Sequence, residues 1–94
     1  MDEIVQELAR YSAALSRSLD TTTYANDRSA YRDHLAAAAR WLGMIHDGAS
    51  LSELRESVAS EQRRFGWGYL SGEPGKAASE AFERFVAFLE SQRS

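Results

Sequence analysis

Apolar side chains recur every three or four residues along the whole chain, and no segment alternates apolar and polar residues as a half-buried strand would. This period predicts helices and no strands. The first helix is expected from about Glu3 to Asp20, with its apolar residues on one face. That stripe consists of Ile4, Leu8, Tyr11, Leu15 and Leu19.

A second helix follows a short polar connection. Three consecutive threonines, Thr21–Thr23, favour a break because β-branched side chains lose rotamer freedom in a helix. Asn26 or Asp27 can cap the next helix. It is expected to continue to about Asp47, because Gly48 is a natural C-terminal stop.

The buried seam of this second helix is predicted by a heptad frame of a and d positions. His34 and Trp41 flank the seam and widen it. The seam positions themselves are Tyr31, Leu35, Ala38, Leu42 and Ile45.

The third helix begins at a capping box, Ser50–Glu53, in which the serine hydroxyl and the glutamate carboxylate can each accept from a free amide. Gly66 and Gly68 each weaken a helix by about 1 kcal/mol relative to alanine. The helix is therefore expected to fray or tighten between Phe65 and Leu70.

The last helix is expected from about Pro74 to Ser91, with proline at its first position. Its apolar residues cover more than half of its circumference, so it either lies centrally or contacts a second chain. Short connections make neighbouring helices antiparallel. The prediction is a single all-α domain over residues 1–94, a small antiparallel four-helix bundle.

Composition and charge exclude several classes of function. The 94 residues contain no cysteine, which excludes disulfides and thiolate metal sites and favours a cytoplasmic location. The net charge is −3 and no basic stripe emerges, so no nucleic-acid partner is expected. No apolar run approaches the roughly 20 residues that span a bilayer, and no membrane partner is expected.

The motifs of catalysis and of cofactor binding are absent, so we expect no enzyme, no cofactor and no metal site. His34 and His46 are twelve residues apart, which turns them about 120° from each other on one helix. Gly72–Lys76 ends like a phosphate-binding loop, but Leu70 and Ala77 stand where that motif needs glycine and a hydroxyl residue.

The remaining candidate residues indicate a protein-binding surface and not a reaction centre. Arginine, tryptophan and tyrosine are enriched in binding hot spots, and the segment Glu61–Leu70 concentrates them. A second polar and aromatic cluster is Tyr24–Arg28. Trp67 can instead plug the end of the bundle, and the second cluster can serve only to start a helix. The partner-binding candidates are Tyr24, Asn26, Arg63, Arg64 and Trp67.

The order of these features resembles the small all-helical immunity proteins of bacterial type VI secretion and other toxin systems, especially the partners of NAD(P)-hydrolysing effectors. The resemblance covers most of the chain, and it lies in the spacing of these features and in the helical architecture. The glycine-flanked segment Gly66–Tyr69 departs from the family pattern. The matching features are Leu8–Tyr11, Tyr24, Trp41–Leu42, Leu51–Leu54, Phe65, Pro74 and Ala81–Phe82.

The resemblance implies a partner that is a cognate toxin, whose active site the chain would block without turnover. It assigns no binding residue. Two other classes stay open: a homodimeric adaptor or regulator that uses Phe85, Phe88 and Leu89 of helix four at a two-fold interface, and a small enzyme.

Overall fold

The computed structural model describes residues 2–22, 25–65 and 72–92, and within these ranges it contains four helices and no strand. They are α1 (Asp2–Thr21), α2 (Ala25–His46), α3 (Leu51–Phe65) and α4 (Gly72–Ser91). The all-α four-helix bundle predicted from the apolar period is therefore confirmed.

Contacts between helices show that each runs antiparallel to the next. Tyr11 of α1 lies against His34 of α2, whereas Leu19, later in α1, accepts a hydrogen bond from Arg28, which lies earlier in α2. Because residue numbers rise along one helix as they fall along the other, α1 and α2 are antiparallel. The same rule holds for α2 with α3 and for α1 with α4, whose contacts are the most extensive.

The helix boundaries follow the local signals with two corrections. Gly48 has a φ of +84°, which only glycine adopts without strain, and it ends α2 as predicted. The Glu53 amide donates to the Ser50 hydroxyl over 3.1 Å, so that part of the capping box is present. However, α2 already begins at Ala25, which places Asn26 inside its first turn. Helix α4 begins at Gly72, two residues before Pro74.

The buried face of α2 includes Tyr31 and Ala38 of the predicted seam, but it is rotated towards the side of His34 and Trp41. Leu35, Leu42 and Ile45 are only half-buried, whereas His34 and Trp41, placed beside the seam, lie inside. The reason is that the large indole stacks on Phe82 and Phe85 in the middle of the bundle, with ring centroids 6.1 and 5.7 Å away. The fully enclosed residues of this face are Ala30, Tyr31, Ala37, Ala38 and Trp41.

One face of helix α4 supplies much of the bundle core. Phe85 and Leu89 are 0% and 1% exposed, and Phe82 packs against Tyr11 with a centroid distance of 5.0 Å. Two of the three residues expected at a two-fold interface therefore belong to the chain's own core, and Phe88 is half-buried against it.

Candidate functional site

Three of the five predicted partner-binding residues belong to the described helices, and all three lie near helix ends. Arg63 is exposed in the last turn of α3. Asn26 is a residue of α2 and Arg64 is a residue of α3, but the side chains of both lie outside the described part of the structure. Tyr24 and Trp67 lie outside the described residues altogether. Arg63 is therefore the one candidate whose side chain can be placed.

The topology nevertheless brings the two predicted clusters to one end of the bundle. In an antiparallel series of four helices, α1 and α3 finish where α2 and α4 begin. The chain passes from α1 to α2 and from α3 to α4 at this end, which we call the two-connection end. Asn26 lies in the first turn of α2 and Arg63 in the last turn of α3, so both belong to this end.

Arg28 has a structural role at the two-connection end. Its Nη1 donates to the carbonyl oxygens of Leu19, at 2.7 Å, and of Thr22, at 3.2 Å. The last carbonyls of a helix have no partner within that helix, and a cation is favoured beside them. Arg28 therefore closes the C-terminus of α1 and fixes the start of α2, which is the helix-start role considered as the alternative for the cluster Tyr24–Arg28.

Arg55 does the same at the opposite end. Its Nε and Nη2 donate to the Leu89 carbonyl at 3.2 and 3.1 Å, and Nη2 also donates to the Gln92 carbonyl. The side chain is half-buried between α3 and α4. Because the partners are 34 and 37 residues away, local spacing gives no signal for this contact.

A hydrogen bond inside the core and an ion pair near the surface form a small polar network across α1, α2 and α3. The Tyr11 hydroxyl and His34 Nδ1 share a hydrogen bond of 3.1 Å inside the core. Burial lowers the pKa of His34, opposed by the nearby carboxylates of Asp33 and Glu61, and burial raises the pKa of the Tyr11 hydroxyl. Both groups are therefore neutral near pH 7.

This network ties helices together and offers no metal site. Glu61 also pairs with Arg40 between α2 and α3, and only 13% of its side chain is exposed. Across the residues that the structure describes, no three histidine or carboxylate side chains are grouped so that they could hold a metal ion.

A groove of about 360 Å³ runs along the outer seam between α1 and α4. Alanines form its floor and arginines stand at its rim, together with Glu7 and Glu80. The groove was not predicted from the sequence; the signal that could have indicated it is the spacing of Arg10 and Arg17, one heptad apart with two alanines between them. The alanines are Ala13, Ala14, Ala77 and Ala81, and the arginines are Arg10, Arg17 and Arg84.

Comparisons with known proteins assign no family to the chain, so a functional proposal depends on the two-connection end and the α1–α4 groove. No protein-family model matches the chain, and neither a curated protein nor a solved structure does. None of the helices within residues 2–22, 25–65 and 72–92 has the length and apolar content needed to cross a membrane.

Proposed function

We propose that this chain is an immunity protein that binds a cognate bacterial toxin and blocks the toxin's active site without catalysing a reaction. The surface that we assign to this contact is the two-connection end. One observation carries the assignment: the fold brings the clusters containing Asn26 and Arg63, 37 residues apart in sequence, to the same end of one bundle. The proposed contact residues are Tyr24, Asn26, Arg63, Arg64 and Trp67.

A preformed bundle suits inhibition by occlusion. Its centre holds a connected cluster of four aromatic rings, which ties α1, α2 and α4 together. A surface carried on a rigid core loses less conformational entropy on binding than a segment that must fold. Arg63 is already exposed, and arginine is a frequent hot-spot residue.

The toxin class that the sequence resemblance favours is an NAD(P)-hydrolysing effector of a type VI secretion system. An immunity protein of that kind would act in the cytoplasm of the bacterium that makes it. The homodimeric adaptor is less well supported in the form first considered, because Phe85 and Leu89 are enclosed in the core of a single chain.

The proposal is tested by capture followed by rescue. The tagged full chain is used to capture partners from the source cell, and mass spectrometry identifies the captured proteins. Each candidate is then expressed alone and together with the chain. We expect at least one captured protein to stop growth when expressed alone, and the chain to restore growth.

Substitutions at the two-connection end make the test specific. Arg63→Ala with Arg64→Ala should weaken the calorimetric affinity by more than about tenfold, the loss of a hot-spot contact. Arg32→Ala is the matched control, because Arg32 is an exposed arginine on the outer face of α2. Rescue that survives the double substitution unchanged, or the absence of any toxic partner, would refute the proposal.

A further inference from the structure

The arginines that line the groove between α1 and α4 have N–H donors that the described residues leave unpaired. Glu7 is the one carboxylate between Arg10 and Arg84: its Oε1 lies 3.2 Å from Arg10 Nη1, and its Oε2 lies 3.5 Å from Arg84 Nε. A guanidinium has five N–H donors, so each arginine uses a small part of its capacity here. The arginine side chains remain 58% and 67% exposed.

Arg17 adds a third guanidinium to the groove. It is exposed at the rim, and it makes no ion pair with any described residue. Arg10 and Arg17 are seven residues apart, which places them on one face of α1 with a rise of about 10.5 Å between them. Ala13 and Ala14 lie between them, so a helix could approach closely.

The matching arrangement of opposite charge lies on α4 of the same chain. Glu83 and Glu90 are also seven residues apart, with Ala87 between them, and all three are exposed. Among the described residues, neither carboxylate takes part in an ion pair. The arginine pair on α1 and the glutamate pair on α4 therefore have opposite charges and the same seven-residue spacing, and each pair has alanine between its members.

We propose that the α1–α4 groove binds the outer face of α4 from a second copy of this chain, in a two-fold dimer. Within one chain Tyr11 packs on Phe82, which places Arg10 near the level of residue 82. In a two-fold dimer the two α4 helices run antiparallel, so α1 of each copy runs parallel to α4 of the other. An axis at the level of residues 82–83 brings Arg10 opposite Glu83 and Arg17 opposite Glu90.

The same register places Arg84 near Glu80 of the second copy. The contact is isologous, because each copy supplies both the groove and the acidic face. Exposed ion pairs contribute little individually, so the dimer is weak and salt-sensitive. The dimer goes beyond the proposed toxin contact, because it uses a lateral face of the bundle.

Charge exchange between the two faces tests the dimer. Sedimentation equilibrium of the full chain should show a dimer forming between about 1 μM and about 1 mM at low salt, and much less dimer at about 1 M salt. The R10E/R17E variant and the E83R/E90R variant should each weaken dimerisation by at least about tenfold. An equimolar mixture of the two should dimerise again, because both contacts then pair opposite charges.

Controls separate the contact from loss of fold. The R32E/E56R variant reverses two exposed charges on α2 and α3 and should dimerise like the wild type. Because Arg10 also pairs with Glu7, R17E alone serves as a second groove variant, and circular dichroism checks the helicity of each protein. The proposal is overturned if the wild type stays monomeric to about 1 mM. It is also overturned if neither charge reversal weakens the dimer, or if the equimolar mixture does not dimerise.

Discussion

Single arginines determine how the ends of two helices are held. Arg28 reaches from α2 to the last carbonyls of α1, and Arg55 reaches from α3 to those of α4. The forked guanidinium suits this task, because Arg55 donates from two different nitrogens to one carbonyl and still reaches a second. The sequence indicates that these residues are charged but gives no hint of partners on another helix.

Removing Arg55 should therefore destabilise the fold. We expect Arg55→Ala to lower the free energy of unfolding by about 1–3 kcal/mol, because half-buried carbonyls lose a charged donor. Urea unfolding measures the change. The control is Arg63→Ala, an exposed site of the same helix, which should stay within about 0.5 kcal/mol of the wild type. Equal effects of the two substitutions would show that the Arg55 contacts do not stabilise the protein.

His34 gives the protein a defined pH dependence. Burial lowers its pKa in the folded chain, so the unfolded chain binds more protons in the interval between the two pKa values. Stability from this group is fully present above about pH 6.5, the ordinary pKa of histidine, and is lost as the pH falls towards the folded value. The charged groups that face it are Asp33 and Glu61, and Glu61 is paired with Arg40.

Unfolding free energies measured between about pH 5 and pH 8 test this dependence. The wild type should lose stability below about pH 6.5, and His34→Gln should be flatter over that interval. His46→Gln is the control, because His46 is exposed at the end of α2 and should keep the slope of the wild type. The prediction fails if His34→Gln retains that slope.

At the scale of elements, periodicity and terminal residues predict the helices well and the packed face less well. All four helices follow from the spacing of apolar residues, and Gly48 ends α2 for a local reason. The rotation of α2 could not be predicted from the sequence. Leu42 and Trp41 are neighbouring large apolar residues, and a heptad frame alone does not decide which of them is buried. The choice depends on rings of α4 that are more than 40 residues away in sequence.

Two glycines of one segment should respond in opposite directions to the same substitution. A Cβ at either Gly43 or Gly48 meets no atom within 4 Å, so only backbone conformation decides. Gly43→Ala should stabilise the protein by about 0.5–1 kcal/mol, because alanine favours a helix interior. Gly48→Ala should destabilise it by about 1–2 kcal/mol, the cost of a left-handed residue.

Thermal or urea unfolding of the two alanine variants decides this point, with each variant serving as the control for the other. If Gly48→Ala is neutral, the left-handed turn does not hold α2 and α3 in place. If Gly43→Ala destabilises the chain, α2 is not a regular helix at that position.

At the scale of the whole molecule, the arrangement adds information that no local pattern contains. The clusters around Asn26 and Arg63 are separate in the sequence, and the antiparallel topology places them at one end. The α1–α4 groove was missed because Arg10 and Arg84 meet around Glu7 only after the helices pack. Charge spacing on isolated helices is visible in the sequence, whereas the pairing of two helices into a groove is a property of the fold.

The central claim is that the chain works by presenting the two-connection end to a protein partner. Hydrogen–deuterium exchange of the full chain, free and bound to its captured partner, tests this claim most directly. We predict that binding slows exchange in residues 22–30 and 60–72, with little change around the α2–α3 turn at Gly48. Protection confined to that turn, or no protection anywhere in the bound chain, would contradict the claim.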